Sequence, residues 1–437
     1  MLLLVATTTG YQTRAFDEAA ARLGVELVLA TDRCHALDDP WRDRAVPVRF
    51  HDVAGSVRAL QESDRARRAA GVLAVGDRPA VIAAHAARAL GLAWHAPAGA
   101  EAARNKLRTR ERLRDAGLVT PRFRDVTDPA DLAVVLNWLP VVVKPLVFSG
   151  SRGVIRADTA EELAAAVDRV RRLLARRDVR AMRDPDGRRL LVESYVPGEE
   201  YAVEALLSQG RLRVLAVFDK PDPLEGPFFE ETIYVTPSRA SPARVAAIEA
   251  AVERAVLALG LGHGPVHAEC RVSAGRGSRV AGHDRAAGPA VASRSEEVCV
   301  LEVAARPIGG LCARALRFTD GDGEIAFEEL LLRHALGEEV ERWKPAASAS
   351  GVMMVPIPAA GVFREAFGEA EARTVEGVTD VRITAKQDQL LLPLPEGATY
   401  LGFIFARADA PAEVERALRS AHARLRFRID PPIAVAG

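Results

Sequence analysis

The sequence has few cysteines and no excess of charge of either sign. Its four cysteines, Cys34, Cys270, Cys299 and Cys312, are spaced irregularly in 437 residues and form no CxxC motif. This pattern argues against a disulfide framework and against a zinc site, so we expect reduced, buried thiols in a cytoplasmic protein. Lysine and arginine together number 59, as do aspartate and glutamate. No overall field therefore favours nucleic acid or an anionic membrane surface.

Long apolar runs and targeting signals are also missing. No apolar stretch reaches the length that a membrane span needs. Residues 1–10, MLLLVATTTG, have no basic n-region and only a short apolar run, so we expect a first buried strand there and no signal peptide. We expect neither a membrane nor a nucleic acid as partner. At 437 residues, 49% of them hydrophobic and 27% charged, the chain is long enough for several globular units.

The first hundred residues alternate short apolar strands with amphipathic helices. Strands are predicted at 2–6, 26–30, 45–48 and 71–75, and helices at 14–23, 53–62 and 79–90. This alternation predicts a parallel sheet flanked by helices. No GxGxxG motif follows the first strand, so we expect a Rossmann-like shape without a dinucleotide.

Beyond residue 100 the pattern changes. Thr159 and Glu162 form a capping box ahead of a helix predicted at 163–176, and strands dominate from residue 190. Segment 273–296 is rich in Gly, Ala, Arg and Ser without periodicity, which predicts a flexible hairpin insertion. Strands and helices alternate over the last hundred residues, and helices are predicted there at Gly361–Phe367 and 411–425.

A lysine ends the predicted strand 141–144 and precedes a glycine-rich turn. Lys144 is that lysine, and the turn is Ser149-Gly150-Ser151-Arg152-Gly153. Glycines let a backbone approach a polyanion closely, and successive amides can hold phosphate oxygens. The turn is not a Walker A loop, because GK[ST] is missing. It predicts a phosphate-binding hairpin, with a plain surface hairpin as the alternative.

Residues 191–201, LVESYVPGEEY, predict a strand that ends in an acid, turns at Pro-Gly and returns with another acid. Such a crossover can offer backbone groups to an adenine edge, while a carboxylate on its far side accepts hydrogen bonds from ribose hydroxyls. A plain hairpin with solvated acids is the alternative.

Two acids in apolar strands carry most of the argument. Alternation along the predicted strand 266–272 puts His267, Glu269 and Arg271 on one face. Glu302 lies in the apolar run VCVLEVAAR, where a carboxylate is costly unless it is paired or bound to a metal. Two such acids on strands joined by a hairpin can hold Mg²⁺ ions shared with ATP phosphates.

Arg306, four residues beyond Glu302, can bind a charge-delocalised oxyanion bidentately. The alternative for Arg306 and Glu302 is a buried ion pair without a ligand.

In this order and spacing, the groups resemble the ATP-grasp superfamily over residues 1–340. The resemblance implies two subdomains that clamp ATP between small sheets, after a Rossmann-like leading domain. For phosphate, it implies two contacting lysines, Lys106 and Lys144, and a further cation, Lys220. For the nucleoside, it implies an adenine hinge at Glu193, Ser194, Tyr195 and Val196 and a ribose acid, Glu200. For magnesium, it implies the pair Glu269 and Glu302.

One position departs from that pattern. Many members have Glu-x-Asn-x-Arg on the second metal strand, whereas this chain has Ala304 between Glu302 and Arg306. The substitution removes one metal or phosphate ligand and keeps the acids. Residues 302–310, EVAARPIGG, and the C-terminal tail are most similar to the L-amino acid ligase branch, whose products are dipeptides.

The resemblance implies an α/β fold in four parts. We expect a Rossmann-like pre-ATP-grasp domain at 1–100, an α+β ATP-grasp A subdomain at 101–193, a B subdomain at 194–340, and a small C-terminal α/β subdomain at 341–437.

The expected function is an ATP- and Mg²⁺-dependent ligase that forms a carbon–nitrogen bond between a small-molecule carboxylate and an amine. An acyl phosphate is the expected intermediate, amino acids the expected substrates, and ADP and phosphate the released products. We expect one or two Mg²⁺ ions, with Mn²⁺ as a substitute, and a homodimer is the candidate assembly. Lys220 and Arg306 are the expected catalytic residues. Glu230, Glu231 and His267 are candidates for holding a substrate, with solvated loop acids as the alternative.

Two other hypotheses stay open from the sequence. One is an ATP-grasp enzyme of another chemistry, such as a biotin carboxylase-like or purine-pathway enzyme, and Ala304 argues against it. The other is a nucleotide-binding regulator without turnover, against which the retained acids and lysines count.

Overall fold

The computed structural model describes residues 1–7, 12–32, 45–128, 130–273 and 296–431. The predicted insertion at 273–296 lies outside these residues apart from Ser273 and Glu296. Within the described residues, none of the helices combines the length and the apolar character needed to cross a membrane.

The N-terminal part forms a four-stranded parallel sheet with the order β3-β2-β1-β4. Its elements are β1 (Leu2–Ala6), α1 (Thr13–Leu23), β2 (Leu27–Thr31), β3 (Val46–Pro47), α2 (Val53–Glu62), α3 (Asp64–Arg67), β4 (Val72–Val75), α4 (Asp77–Leu90), α5 (Pro97–Arg104) and α6 (Lys106–Asp115). Every residue of β1 is buried, as expected for a parallel strand covered on both faces. The predicted Rossmann-like shape is confirmed.

A small antiparallel sheet follows, with the order β5-β8-β6-β7; we call it the A sheet. Its part of the chain contains β5 (Phe123–Val126), α7 (Ala130–Val135), a 3₁₀ turn (Leu136–Trp138), β6 (Val141–Pro145), β7 (Ile155–Ala157), α8 (Ala160–Leu174), α9 (Arg177–Arg180) and β8 (Leu190–Ser194). The predicted capping box at the start of α8 is confirmed, with Thr159 and Glu162 bonded to each other's backbone.

A large sheet is built from the next part of the chain and is extended by the C-terminal part. The first elements are β9 (Glu199–Ser208), β10 (Arg211–Asp219), β11 (Ile233–Thr236), α10 (Pro242–Leu259), β12 (Gly264–Ser273) and β13 (Glu297–Ala304). Those that follow are a 3₁₀ turn (Cys312–Ala315), β14 (Arg317–Thr319), β15 (Glu324–Ala326), α11 (Phe327–Ala335), β16 (Lys344–Pro345), β17 (Ala349–Val355), β18 (Gly361–Phe367), α12 (Glu369–Arg373), β19 (Val378–Ile383), β20 (Leu390–Leu391), β21 (Gly402–Ala408), α13 (Pro411–His422) and β22 (Arg426–Asp430).

The large sheet has eight strands in the order β13-β12-β9-β10-β11-β17-β21-β19. Strands from beyond residue 340 thus continue the sheet that carries Glu269 and Glu302. The sequence boundaries at 100, 193 and 340 stay predictions.

The helix predicted at Gly361–Phe367 is wrong, because these residues form strand β18. Gly361 and Phe363 are buried while their neighbours are more exposed, and β18 pairs antiparallel with β20 and β22. A seven-residue apolar pattern is too short to separate the two periodicities. The partner strand, some sixty residues later, decides the conformation.

The A sheet has a hydrophobic core of its own. Its buried apolar residues run from Val126 to Val192 and include the inner face of α8. A separate, larger core is shared by the N-terminal sheet and the large sheet. The A sheet therefore packs around a core separate from that of the other two sheets, and a cleft lies beside it.

Candidate active site

A cavity of about 320 Å³ lies between the A sheet and the large sheet. The predicted site residues on its wall are Lys106, Lys144, Ser149, Gly150, Ser151, Glu193, Ser194, Tyr195, Val196, Glu200, Glu231, His267, Glu269, Glu302 and Arg306. Of the predicted residues within the described ranges, Gly153, Lys220 and Glu230 are the ones that do not line it. The fold thus gathers into one cleft groups that are up to two hundred residues apart in the chain.

The glycine-rich turn is held in a compact, partly left-handed form. Gly150, Ser151 and Gly153 all have positive φ, at 63°, 54° and 74°. A Cβ on Gly153 would come within 3.1 Å of both Leu173 and Pro145. Gly153 therefore serves close packing of the turn, while Ser149, Gly150 and Ser151 line the cavity.

Lys144, on β6 of the A sheet, belongs to a buried group of charged side chains. Its Nζ lies 2.5 Å from Glu193 Oε2, and Glu193 Oε1 accepts a 2.6 Å hydrogen bond from Arg110 Nε. Burial lowers the pKa of Lys144 to about 8, although Glu193 opposes the shift. The carboxylate of Glu193 is thus occupied by Lys144 and Arg110. The candidate contacts of the predicted hinge with an adenine base are therefore its backbone groups.

Arg110 is also tied to the metal strand predicted from the sequence. Its Nη1 donates to the carbonyl of Val300 at 2.9 Å, and its Nη2 donates to that of Leu301 at 2.7 Å. Arg110 is 1% exposed. It therefore joins β8 of the A sheet to β13 of the large sheet.

Arg271 organises the predicted hinge from the opposite side. Its Nη1 donates to the carbonyl of Val196 at 2.7 Å, and its Nε donates to Glu200 at 2.8 Å. Its guanidinium lies 5.2 Å from the ring centre of Tyr195 and 5.6 Å from that of Phe229. Arg271 is buried, so these contacts fix where the hinge lies relative to the large sheet.

Lys220 lies among three carboxylates. Its Nζ is 2.8 Å from Glu200 and 3.4 Å from Glu269, and it also contacts Glu231. Burial acts to lower the pKa of Lys220, but the three carboxylates raise it well above its usual value. The lysine expected to face phosphate is therefore enclosed by acids behind the cavity wall.

The same three carboxylates form a candidate cation site. One oxygen each of Glu200, Glu231 and Glu269 can be chosen so that all three lie within 4.8 Å of one another. Lys220, Arg271 and His267 contact these carboxylates, so a cation bound here would compete with their positive charges. The sequence predicted a magnesium pair of Glu269 and Glu302 and did not predict this second set of carboxylates.

Glu269 and Glu302 lie directly opposite each other on the paired strands β12 and β13. Both line the cavity, and cross-strand partners lie on the same face of a sheet. Glu302 lies 3.3 Å from Lys106 Nζ, which also donates to the carbonyl of Phe148 at 2.5 Å. Lys106 thus connects the acid of β13 to the segment that leads into the glycine-rich turn.

His267 links a deeper acid to Glu269. Its Nδ1 lies 2.5 Å from Glu204, and its Nε2 lies 3.4 Å from Glu269. Burial acts to lower the pKa of His267, yet the Glu204 carboxylate raises it to about 9. Although burial acts to raise it, Lys220 and His267 hold the pKa of Glu269 well below its usual range. His267 is therefore placed to orient an acid of the site.

Arg306 is held by a residue of the N-terminal part of the chain. Its Nε donates to Asp77 Oδ1 at 2.7 Å, and its Nη2 lies 3.4 Å from Oδ2. Asp77 is the first residue of α4 and also interacts with Lys106 and Ser149. Although burial opposes the change, Arg306 lowers the pKa of Asp77. The side chain expected to meet an oxyanion thus has a carboxylate partner in this structure.

The two adjacent acids Glu230 and Glu231 face different surroundings. Glu231 lines the cavity, and burial together with the nearby Glu269 charge raises its pKa to about 7. Glu230 accepts a hydrogen bond from the backbone of Ile357 and does not line the cavity. Of the two acids, only Glu231 is therefore placed to meet a molecule bound in the cavity.

Three residues of the site, Asp77, Arg110 and Glu204, were not named from the sequence, and Arg271 was placed on the face of Glu269 without a role. Asp77 follows the carboxyl end of β4, where ligands of open α/β sheets bind, and this position was a usable signal. Glu204 lies in the apolar run YAVEALL, so the argument applied to Glu302 covers it as well. Arg110 had no local signal, because its partners lie 83 or more residues away.

Three family models match the chain. The ATP-grasp N-terminal domain matches residues 17–93, the ATP-grasp domain residues 138–282, and the L-amino acid ligase C-terminal domain 2 residues 353–430. The second match covers the glycine-rich turn and Glu269, and the third lies in the part of the chain that extends the large sheet.

Solved and curated relatives span nearly the whole chain. The crystal structure of an L-amino acid ligase from Bacillus licheniformis has a TM-score of 0.78 and 27% identity, covering 98% of this chain and 99% of its own. A carboxyaminoimidazole ribonucleotide synthase from Aspergillus clavatus, complexed with ATP, has a TM-score of 0.66 at 18% identity, covering 97% and 99%, and this likeness shows the fold alone. The uncharacterized protein y4rH of Sinorhizobium fredii is 24% identical over 428 residues, 96% of this chain and 82% of its own.

Proposed function

We propose that this chain, a member of the ATP-grasp superfamily most similar to its L-amino acid ligase branch, uses ATP to join the carboxylate of one amino acid to the amine of another. The observation that carries the proposal is the placement of Glu269 opposite Glu302 on paired strands, at a cavity that Lys106 and Lys144 also line. Acids that can hold Mg²⁺, together with lysines, can neutralise the charge of a triphosphate.

In this proposal the adenine lies against the backbone of Ser194–Val196, and the triphosphate extends from the glycine-rich turn to Glu302. Lys144, whose pKa of about 8 keeps it largely protonated near neutral pH, and Lys106 face the phosphates. Glu200 is the proposed ribose acid, and binding would require its carboxylate to share its contacts with Lys220 and Arg271.

The chemistry of the donors supports divalent cations. Carboxylate oxygens are hard ligands of the kind that Mg²⁺ prefers, and Glu269 belongs to both candidate acid sets. Glu269 and Glu302 are the proposed holders of an ion shared with ATP, with Mn²⁺ as a substitute. When bound, Mg²⁺ would neutralise phosphate charge.

The proposed reaction has two steps. A substrate carboxylate oxygen attacks the γ-phosphorus of ATP, which breaks its bond to the bridging oxygen and gives an acyl phosphate and ADP. The amine nitrogen of a second substrate then attacks the acyl carbon, loses a proton and expels phosphate. Before the attack, Glu231, with a pKa of about 7, would hold the substrate ammonium and take the proton whose loss frees the nitrogen lone pair. Arg306 is the proposed partner of the developing oxyanion.

The end of the cavity beyond the acids supports amino acids as substrates. Its wall there includes Ile308, Cys312, Met354, Tyr400 and Phe403. A charged ammonium site at Glu231 beside apolar and aromatic groups fits an amino acid with an apolar side chain. We therefore include apolar amino acids in the proposal.

The test is phosphate release from ATP and Mg²⁺, screened across pairs of amino acids, with mass analysis of products. Release with ADP and a dipeptide for particular pairs supports the proposal. Release that depends on bicarbonate and needs no amine would contradict ligation, and formation of AMP with pyrophosphate would contradict the acyl phosphate.

A further inference from the structure

A segment of the C-terminal part crosses over the glycine-rich turn. We call it the crossing segment, residues 393–400, PLPEGATY. The amide of Gly153 donates to the carbonyl of Pro395 at 2.9 Å, and Arg152 Nε donates to the carbonyl of Glu396 at 3.0 Å. The backbone of the crossing segment thus receives two hydrogen bonds from the turn that we propose covers phosphate.

A bidentate ion pair strengthens this contact. Glu396 accepts hydrogen bonds from Arg169 Nε at 2.6 Å and from Arg169 Nη2 at 2.9 Å. Arg169 lies on α8, which packs on the A sheet, and its guanidinium also lies 5.0 Å from the ring centre of Phe228. Parallel Arg–carboxylate bonds fix direction as well as distance, so the pair sets where α8 and the turn lie relative to the large sheet.

The same segment also lines the cavity, and Tyr400 at its end packs on Phe403 of the apolar wall. Ala398, Thr399 and Tyr400 line the cavity together with Gly150 of the turn. A Cβ on Gly150 would lie 3.8 Å from the Cβ of Ala398, an ordinary van der Waals contact. Glu396 of the ion pair is therefore separated by three residues from Tyr400, which belongs to the wall at which we place the amino acid.

We propose that the crossing segment is a latch, which holds the glycine-rich turn closed over the nucleotide and couples this closure to occupancy of the amino-acid end of the cavity. Glu396 and Arg169 are its positioning residues, and the inference rests on the proposed function. The A sheet has its own core, so it can shift with its interior packed, and the contacts of the crossing segment oppose that shift together with the bridge that Arg110 makes between Glu193 and β13. A molecule that orders Ala398–Tyr400 then also favours the closed turn.

The pair is suited to reversible closure. Its side chains are 41% and 31% exposed, for Arg169 and Glu396 respectively, so the contact is partly solvated. Exposed pairs of this kind change an equilibrium by up to about fivefold. The coupling must be reciprocal: amino acids that close the latch tighten nucleotide binding by the same factor by which nucleotide tightens theirs.

The experiment measures the dissociation constant of Mg²⁺-AMP-PNP by calorimetry, with and without the amino-acid pair that gives the fastest phosphate release. The ratio of the two constants is the coupling factor. The full-length protein is compared with Glu396→Gln and with the charge-exchanged double variant R169E/E396R. Asp430→Asn is the matched control, because it removes an ion pair of the C-terminal part, with Arg364, that does not contact the A sheet.

We expect Glu396→Gln to lower the coupling factor by about three- to fivefold and to raise the KM for ATP by a similar factor, with a much smaller change in kcat. The double variant should restore most of the loss, and Asp430→Asn should leave the factor unchanged. An unchanged factor in Glu396→Gln, or no recovery in the double variant, overturns the latch. Failure of the unaltered protein to bind AMP-PNP would instead overturn the proposed function.

Discussion

Asp77, at the start of α4 in the N-terminal part, receives two hydrogen-bond contacts from Arg306, 229 residues later, at 2.7 and 3.4 Å. The pair ties the Rossmann-like sheet to the end of the strand that carries Glu302. It also places a carboxylate on the guanidinium that we propose stabilises the oxyanion. The N-terminal domain is therefore part of the site as well as of the scaffold.

Asp77→Ala leaves the guanidinium of Arg306 buried without its counter-charge. We expect the free energy of unfolding to fall by about 3 kcal/mol, the usual cost of removing one partner of a buried pair, and turnover to fall with it. Urea unfolding and phosphate release measure the two effects. Arg364→Ala, which breaks exposed pairs with Asp388 and Asp430, is the control and should change the free energy by less than about 1 kcal/mol. Equal effects of the two variants would contradict the buried-pair interpretation.

Glu302→Gln keeps the size of the side chain and removes the charge proposed to bind cation. We expect ATP turnover to fall by about 100-fold or more, while the melting temperature changes by only a few degrees. The Mg²⁺ concentration that gives half-maximal turnover should rise in any residual activity. Glu297→Gln, on the same strand and outside the cavity, is the matched control. Normal turnover of Glu302→Gln would show that the cation is held elsewhere.

Arg110→Met should weaken ATP binding although Arg110 does not line the cavity. Without Arg110, Lys144 is the cationic partner left to Glu193 in this group. Lys144 then binds Glu193 more strongly and is less free to contact phosphate. We expect the KM for ATP to rise about tenfold and the free energy of unfolding to fall by about 3 kcal/mol. Steady-state kinetics and urea unfolding check this. Arg112→Met, on the same helix and bonded to the carbonyl of Leu259, is the control for helix effects; a similar rise in KM there would argue against a specific role for Arg110.

Stability should fall in mild acid because of a group of buried and half-buried histidines that do not line the cavity. His334 stacks on His263 with ring centres 4.3 Å apart, and its Nε2 lies 2.9 Å from Ser208 Oγ. Burial lowers the pKa of His334 to about 4, and burial also lowers that of His95 to about 4. The unfolded chain then binds more protons than the folded one between pH 6.5 and pH 4, so the free energy of unfolding decreases as the pH falls through that window.

The measurement is urea unfolding at pH 7.5 and pH 5.0. His334→Gln should lose less stability between these two pH values than the unaltered protein does, by on the order of 2 kcal/mol. His51→Gln, at an exposed position, should leave the pH dependence unchanged. If His334→Gln and the unaltered protein lose the same amount, protonation of this group does not limit acid stability.

Local patterns were sufficient for most of the elements. The parallel N-terminal sheet, the capped helix α8 and the paired strands β12 and β13 follow from periodicity and capping residues that the chain shows within short windows. The strand β18 did not follow, because its conformation depends on pairing with β22. The same limit applies to Arg110 and Asp77, because the ionic partners that give them a role at the site come from distant parts of the chain.

The sequence by itself determined where along the chain the charged groups of the candidate site lie. A carboxylate in a buried strand is costly unless it is paired or bound to a metal, so the positions of Glu302 in an apolar run and of Glu269 beside His267 and Arg271 on one strand face were enough to indicate a charged site. The tertiary structure alone decided which charges meet: Lys220 among Glu200, Glu231 and Glu269, Arg306 on Asp77, and Glu396 on Arg169. The physical reason is distance, because the strength of an ion pair depends on separation and burial in space and not on separation along the chain.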